Sequence, residues 1–459
     1  MDIAEKIVAL CKRRGFVYPG SEIYGGLAGI YDLGPLGVEF ANNIKASWWE
    51  DIVRKRDNIV GLDSSILMNR QVWETSGHVE SFADPLVECK ICHKRFREDL
   101  VREADSVARK HAPKNGVVAS AWPDWVREIK IADHNHVFTN PRMFNLMFKT
   151  HVGSVEDLPG EAAVTYLRPE TAQGIFVNFA NVVNTQRVKL PFGIAQIGKG
   201  FRNEITTGNF LFRVREFEMM ELEYFTYPAQ SEKDFEYWQG QRMKWFTNLG
   251  INKKNLRFRE HEETERAHYA VRSVDIEYNW PFMDWGELEG IANRTDYDLK
   301  AHSKASGRDL SYFDEEKKKK IIPYVIEPSV GVGRAMLAFL IDSYSEDGER
   351  IILKLNPKLA PVKVAVFPLL ANKPDLVKKA KEIYLLLKTS DLGLISWDDR
   401  GNIGKRYFAQ DEIGTPYCIT VDFETLEDNT VTIRNRDTTR QERIKVNNLS
   451  RTLQSKLGF

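Results

Sequence analysis

Apolar residues recur at near-helical spacing at Val38, Ile44, Trp48 and Ile52, which predicts an amphipathic helix over 38–56. The segment NIVGLDSSIL (58–67) that follows reads as a strand, and from about Pro85 to Asp157 the chain turns more polar, as an insertion hanging off a core would. AVTYLRPETAQGIFVNFANVV (163–183) reads as a strand, a charged turn and a helix, and 198–225 as strand, loop, strand. A helix carrying Phe235, Trp238 and Phe246 spans 232–249, and YVIEPSVGVGRAMLAFLIDSY (324–344) reads as a strand, a glycine turn and an apolar helix. LNPKLAP (355–361) is rich in turn formers and reads as a linker. Beyond it strand and helix patterns alternate, predicting a separate small α/β domain with a mostly parallel sheet.

The length of 459 residues suggests about three domain-sized units. With 42% hydrophobic and 11% aromatic residues the chain can bury sizeable cores, which excludes a disordered protein. Basic and acidic residues balance at 65 each, so bulk charge points to no nucleic-acid partner, although local patches can still serve one. Of four cysteines only Cys89 and Cys92 are neighbours, which fits a reducing compartment better than a disulfide framework. The first residues are too charged, and every apolar run too short, for a signal peptide or a membrane span. The expectation is a soluble, cytoplasmic protein.

The stretch GKGFRNEITTGNFLFRVREFEMMELEYF (198–225) sets charges of both signs among apolar residues. Strand alternation puts Arg202 with Glu204 on one face, and Arg213, Arg215, Phe217, Met219, Glu221 and Glu223 on one face of the second strand. Two readings fit: a solvated face laced with ion pairs, or a ligand floor where arginines grip phosphate, a phenylalanine meets a base and carboxylates hold a cation. GVGR (331–334) favours the second, because Arg334 at a helix N-terminus would face phosphate oxygens.

These residues resemble the class II aminoacyl-tRNA synthetases, specifically the dimeric glycyl-tRNA synthetases of the bacterial, archaeal and eukaryotic-like type. FRNE with FRVREFEMMELEYF is similar to their motif 2, and EPSVGVGR to motif 3. GFVYPGSEIYGGLAGIYDLGPLGVEFANNIKASWW, FNLMFKT, LRPETAQGIF and GELEGIANRTDYDL match in the same order, and GKRYFAQDEIGTPYCITVDFE resembles their anticodon-binding domain. The resemblance implies an α+β fold: an antiparallel-sheet catalytic core with an inserted subdomain, plus a C-terminal α/β anticodon-binding domain. The expected segments are 1–84 with motif 1, the insertion 85–157, the core 158–354 with motifs 2 and 3, and the anticodon-binding unit 361–459. It further implies a homodimer formed through the helix near 38–56, and ATP-dependent attachment of glycine to tRNA(Gly) through glycyl-adenylate.

Residue roles follow from the same resemblance. Arg202 and Arg334 are the implied catalytic cations, on the α-phosphate and the γ-phosphate. The implied ATP site comprises Arg202, Asn203, Glu204, Phe212, Arg213, Val214, Arg215, Glu216, Phe217, Glu287, Leu288, Gly331, Val332, Gly333 and Arg334, with Glu287 as magnesium ligand. Glu170, Glu221 and Glu327 would surround the glycine ammonium, with Ser329 closing the pocket. Arg97, Phe217, Glu218, Met219, Met220, Pro328, Val330 and Gly331 complete that set, Arg95 being the alternative to Arg97. For Glu223 the residue chemistry favours ion pairing with neighbouring arginines. The motif 2 loop reads TTGN where the family pattern has TPRN, at Thr207 and Gly208. CKIC (89–92) offers two of the four ligands a structural zinc needs, with His93, His111, His134 and His136 nearby; zinc is not expected. RNRDTTRQERIK (434–445), the most basic run of a mildly basic C-terminal unit, is the candidate anticodon contact, a solvated strand face being the other reading.

Overall fold

The computed structural model describes residues 2–93, 95–97, 138–153, 164–205, 207–267 and 269–458. Its centre is a seven-stranded sheet of β1 (Ile59–Gly61), β2 (Phe192–Phe201), β3 (Glu216–Thr226), β4 (Leu256–Glu260), β5 (Arg272–Asn279), β6 (Trp285–Thr295) and β7 (Tyr324–Gly331), in the order β4-β5-β6-β7-β3-β2-β1. Every neighbouring pair is antiparallel except β1 with β2. The strand expected over 58–67 is thus only three residues long, because the chain leaves the sheet edge after Gly61.

One face of the sheet is sealed by α1 (Ile3–Arg14), α2 (Pro35–Trp49), α4 (Ser231–Asn248) and α6 (Val332–Ser343), whose apolar stripes share one large core with Met220, Leu222, Ile326 and Val330 of the strands. α2 starts at Pro35, whose fixed φ suits a first helical position, and buries Phe40, Ala41, Ile44 and Trp48; Val38, expected in that stripe, is exposed instead. Inside this core Arg242 of α4 and Glu289 of β6 form a bidentate pair at 2.6 and 3.1 Å, both fully buried, with the guanidinium 4.6 Å from the Trp245 ring. The opposite face is covered at one end by α3 (Ala172–Gln186) and α5 (Tyr297–Ser306), through Phe176, Phe179 and Leu299 against Phe192, Ile194, Phe225 and Val325. The remainder of that face carries the polar residues described below.

Beside it, Ala83–Glu88 pairs with Arg95–Arg97 and Arg142–Asn145 in a three-stranded sheet. Cys89 lies in the turn that follows, its Sγ accepting from the Ile91 N–H at 3.4 Å. Among the described residues no group of three metal-ligating side chains forms; His111, His134 and His136 lie outside them.

The C-terminal unit holds β8 (Val364–Pro368), β9 (Ile395–Trp397), β10 (Tyr417–Val421), β11 (Thr430–Asn435) and β12 (Gln441–Lys445) in the order β9-β8-β10-β11-β12. β9, β8 and β10 run parallel, but β11 and β12 add antiparallel, so the sheet is mixed where a mostly parallel one was expected. The segment 355–361 is no loose tether: Leu355, Leu359, Ala360 and Pro361 are buried, and Asn43 of α2 donates to the carbonyls of Leu359 and Ala360 at 3.2 and 3.0 Å. The basic run 434–445 is largely consumed as well. Arg434 forms a bidentate pair with buried Asp411, Arg436 donates to the Gly414 and Leu355 carbonyls, and Arg443 pairs with Asp422. Arg440 and Lys445 of its cations remain exposed without such a bond among the described residues.

Truncating one partner of a buried ion pair strands the other charge. Arg242→Ala is expected to lose roughly 3–5 kcal/mol of stability, while Lys189→Ala, which breaks the exposed pair with Glu316, changes stability by less than about 0.5 kcal/mol. Calorimetric melting of both variants checks the contrast; equal losses would contradict it.

Candidate active site

Register builds the site floor. Gln196, Glu221, Ser329, Gly290 and Asp275 stand side by side across β2, β3, β7, β6 and β5. One row further, Met219 lies between Gly198 and Gly331, and one row deeper Ala292 sits opposite Glu327. Gly290 leaves space: the nearest atoms to a Cβ placed there are Asp275 Oδ1 and Glu287 Oε1, both at 3.8 Å.

An acidic cluster occupies one end of the floor. Buried Glu221 accepts from the Thr171 N–H at 2.7 Å, from the Thr171 hydroxyl, and through its other oxygen from Ser329 Oγ at 2.9 Å. Glu170 lies 3.4 Å from His78 Nε2 and accepts from Gln173 at 3.1 Å. Burial opposes its charge, yet His78, Arg294 and Gln173 together hold it below the usual carboxylate range. Arg294 serves several acids at once: Nε and Nη2 donate to Asp298, each at 2.9 Å, and Nη1 donates to Glu327 at 2.8 Å, while the guanidinium lies 3.9 Å from the Tyr269 ring centroid. Burial pushes Glu327 up to about 8; Arg294 counters, and nearby Glu221 and Glu170 add to the rise.

A cationic and aromatic cluster occupies the other end. Arg202 Nε donates to the Pro169 carbonyl at 3.2 Å, and its guanidinium lies 5.3 Å from both the Phe217 and Phe82 ring centroids. Arg334, in the first turn of α6, lies 4.5 Å from the Phe212 ring, donates to the Phe212 carbonyl at 3.1 Å and meets the Glu287 carboxylate at 3.0 Å. The Arg334 charge lowers the Glu287 pKa against a desolvation cost, with Arg202 adding to the effect.

A β-bulge aims Glu287. Register slips where Ile276 pairs with Glu289 but Glu277 pairs with Glu287, leaving Leu288 as the extra residue. Glu289 therefore turns to Arg242 in the helix-covered core, while Glu287, with the same parity, turns to the open face. Asp275 shares that face, bonded to His261 Nε2 at 2.7 Å; burial and the Glu287 charge raise it to about 6 despite His261.

Arg213 and Arg215 lie before β3 begins, in irregular chain. Arg215 Nη1 donates to Ala28 O at 2.6 Å and its N–H to Gly29 O at 2.9 Å, so its guanidinium braces a loop. Burial lowers the Arg213 pKa, Glu204 opposes, and Arg97 and Arg334 add to the fall. Arg97 also meets Asp84 at 3.4 Å. Thr207 of the loop packs against Gly29, held at φ 70°, so that a side chain at position 29 would collide with it.

Comparison with known proteins meets this geometry from outside. The tRNA synthetase class II core domain (G, H, P, S and T) matches residues 156–344, and the anticodon binding domain matches 363–456. The glycine-tRNA ligase of Thermobifida fusca is 52% identical over 465 residues, covering 99% of this chain and 98% of that protein. That of Streptomyces coelicolor is 52% identical over 467 residues, covering 99% of both, and that of Caldanaerobacter subterraneus subsp. tengcongensis 53% over 464 residues, covering 99% and 98%. The chain belongs to the glycine-tRNA ligase family.

Seen as a glycine-tRNA ligase, the chain separates its expected site residues by face. Phe217, Met219, Glu221, Glu327, Ser329 and Gly331 lie on the open face. Glu218 pairs with Lys45 of α2 at 3.0 Å, Met220 and Val330 are buried against the helices, and Pro328 falls on that same side by alternation. Val332 and the bulge residue Leu288 also pack into the helix-side core, and Glu216 pairs with Lys199 at 2.8 Å. A strand offers each of its faces only every second side chain. The reading of Glu223 is corrected: it is fully buried, and neither oxygen has a hydrogen-bond partner, so it pairs with no arginine among the described residues. Sequence reasoning missed Arg294, Asp298, His78, Phe82, Thr171 and Asp275. Arg294 and Asp298 stand four apart inside GELEGIANRTDYDL, a spacing that brings side chains together once a helix begins; His78 and Phe82 carry no such signal.

Between pH 4.5 and about 8 the folded chain keeps the Glu327 proton that the unfolded chain has released, so stability falls as pH rises through that window. Glu327→Gln removes one such proton, worth at most about 1.4 kcal/mol per pH unit. Its melting temperature is expected to fall less between pH 5 and 8 than the wild type's; identical profiles would contradict the assignment.

Proposed function

We propose that the open face of the central sheet is where this enzyme, a class II glycine-tRNA ligase, joins glycine to tRNA(Gly). A carboxylate oxygen of glycine attacks the α-phosphorus of ATP, the bond to the bridging oxygen breaks and pyrophosphate leaves. The terminal ribose 3′-hydroxyl of the tRNA then attacks the glycyl carbonyl, loses its proton and displaces AMP.

The observation that carries the residue-level reading is that two arginines far apart in sequence flank one face. Arg334, at the start of α6, meets Glu287 at 3.0 Å, and Arg202, just after β2, lies 5.3 Å from the Phe217 ring. In this reading Arg202 neutralises the α-phosphate and the approaching glycine carboxylate, and Arg334 holds the γ-phosphate. Phe217 offers its ring to the adenine, and Asn203 and Glu204 its polar edge. No covalent enzyme nucleophile is needed, because charge neutralisation and alignment lower the barrier. Glu287, with Asp275 close by, supplies oxygen donors that would hold magnesium, whose charge would offset that of the phosphates when bound. Two protein carboxylates suffice for an ion that keeps phosphate and water ligands.

At the other end Glu170, Glu221 and Glu327 surround the ammonium group. Selection for glycine is assigned to Gly290 and Ser329: the space over Gly290 receives the substrate Cα, and the neighbouring strand side chains bound that space against a larger amino acid. Arg97, paired with Asp84 at 3.4 Å, is assigned to the substrate site by the family pattern alone.

The enzyme is inferred to work as a homodimer. Tyr18, Ile23, Tyr24, Leu27, Leu33 and Val38 are all exposed within one short part of the chain, and Ile23 and Tyr24 are 88% and 87% exposed. A cytoplasmic location agrees with four unlinked cysteines and with the absence, among the described residues, of any helix long and apolar enough to cross a membrane.

Pyrophosphate exchange with a panel of amino acids tests the activity: glycine alone should support it, and exchange with another amino acid, or with none, rejects it. Arg202→Ala is expected to lower kcat of exchange by about 10²–10³. Gly290→Ala adds a methyl group that meets nothing in the protein closer than 3.8 Å, so the melting temperature is expected to hold while the KM for glycine rises roughly 10- to 200-fold. An unchanged KM would remove Gly290 from the pocket.

A further inference from the structure

We propose that Glu223 holds a proton which the pocket releases when the ammonium group of glycine enters, so that binding exchanges one cation for another. The proposal rests on the reading of the acidic cluster as the glycine site.

The register that sets Glu221 beside Ser329 and Tyr224 beside Ile326 brings Glu223 opposite Glu327. Glu223 is 0% exposed and both of its oxygens lack a hydrogen-bond partner. The charged groups around it are Glu221 on its own strand, Glu327 on β7, Arg294 on β6 and Asp298 on α5; its partner across β2 is the apolar Ile194. Arg294 is the cation closest at hand, and its donors are already taken by Asp298 and Glu327. An ionised carboxylate so enclosed, without donor or counter-ion, is far costlier than a neutral acid. Burial, Glu327 and Glu221 accordingly push the Glu223 carboxyl well above the usual carboxylate range, with Arg294 opposing.

An ammonium group arriving among Glu170, Glu221 and Glu327 adds one positive charge to this enclosed space. Loss of the Glu223 proton to solvent removes one, so the net charge of the pocket is conserved. The O–H bond of Glu223 breaks, its electron pair stays on the carboxylate, and the proton passes to buffer. Glu223 touches no reacting atom; it is a positioning residue that sets the charge the substrate meets. Affinity for the amine-bearing ligand then rises with pH, because binding releases a proton.

The test uses the full-length enzyme and 5′-O-(glycylsulfamoyl)adenosine, with its acetyl analogue lacking the amine as control. Titration calorimetry at about pH 6.5, where the free amine is already an ammonium group, in two buffers of different ionisation enthalpy counts the protons released. The wild type is expected to release about one proton more than Glu223→Gln with the glycyl compound, any proton from Glu327 being common to both, and neither protein releases one with the acetyl compound. Glu223→Met is the second neutral variant if the glutamine protein does not fold. Equal release from wild type and variant, or no release from the wild type, overturns the proposal. Failure of the wild type to bind the glycyl compound at all overturns the functional reading beneath it.

Discussion

Five acidic side chains, Glu170, Glu221, Glu223, Glu327 and Asp298, gather under one end of the open sheet face, and the buried guanidinium of Arg294 stands among them. This guanidinium spends its donors on Asp298 and Glu327, lies within 4.0 Å of Glu170 and rests on an aromatic ring. A lysine could not replace it, because a point charge cannot hold two carboxylates in fixed planes at once. The arginine keeps the cluster acidic enough to attract a cation and rigid enough to refuse a bulky one.

The second constraint is register. The antiparallel pairing of β3, β7 and β6 sets Glu221, Ser329 and Gly290 in one row, and a slip of one residue on any strand would send its member to the helices. The bulge at Leu288 breaks alternation at the one place where the two faces need a carboxylate each, Glu289 for Arg242 and Glu287 for Arg334. The buried core and the open face thus draw on neighbouring acids of a single strand without competing for the same side chain.

Much of this was legible in the chain. The strand-loop-strand pattern of 198–225 and the glycine turn at 331–334 located the two arginines, and motif order pointed to the family that the relatives then showed. What stayed hidden is long-range. Glu216, Glu218 and Met220 sit in the same run as Phe217 and Glu221, and only the pairing of whole strands decides which of them meets the ligand. The bulge depends on a partner strand, and Phe82 reaches Arg202 from a segment without periodicity. Glu223 misled for a related reason: arginines stand near it in sequence, but in space their guanidinium groups are engaged elsewhere.

The packed segment 355–361 has a bearing on RNA. Asn43 of α2 and Arg436, just after β11, grip it from the two units it joins, and Arg13 and Arg14 of α1 pair with Glu412 across the same junction. Contacts of this kind resist sliding of one unit past the other, so an RNA that touches both must match the spacing they hold.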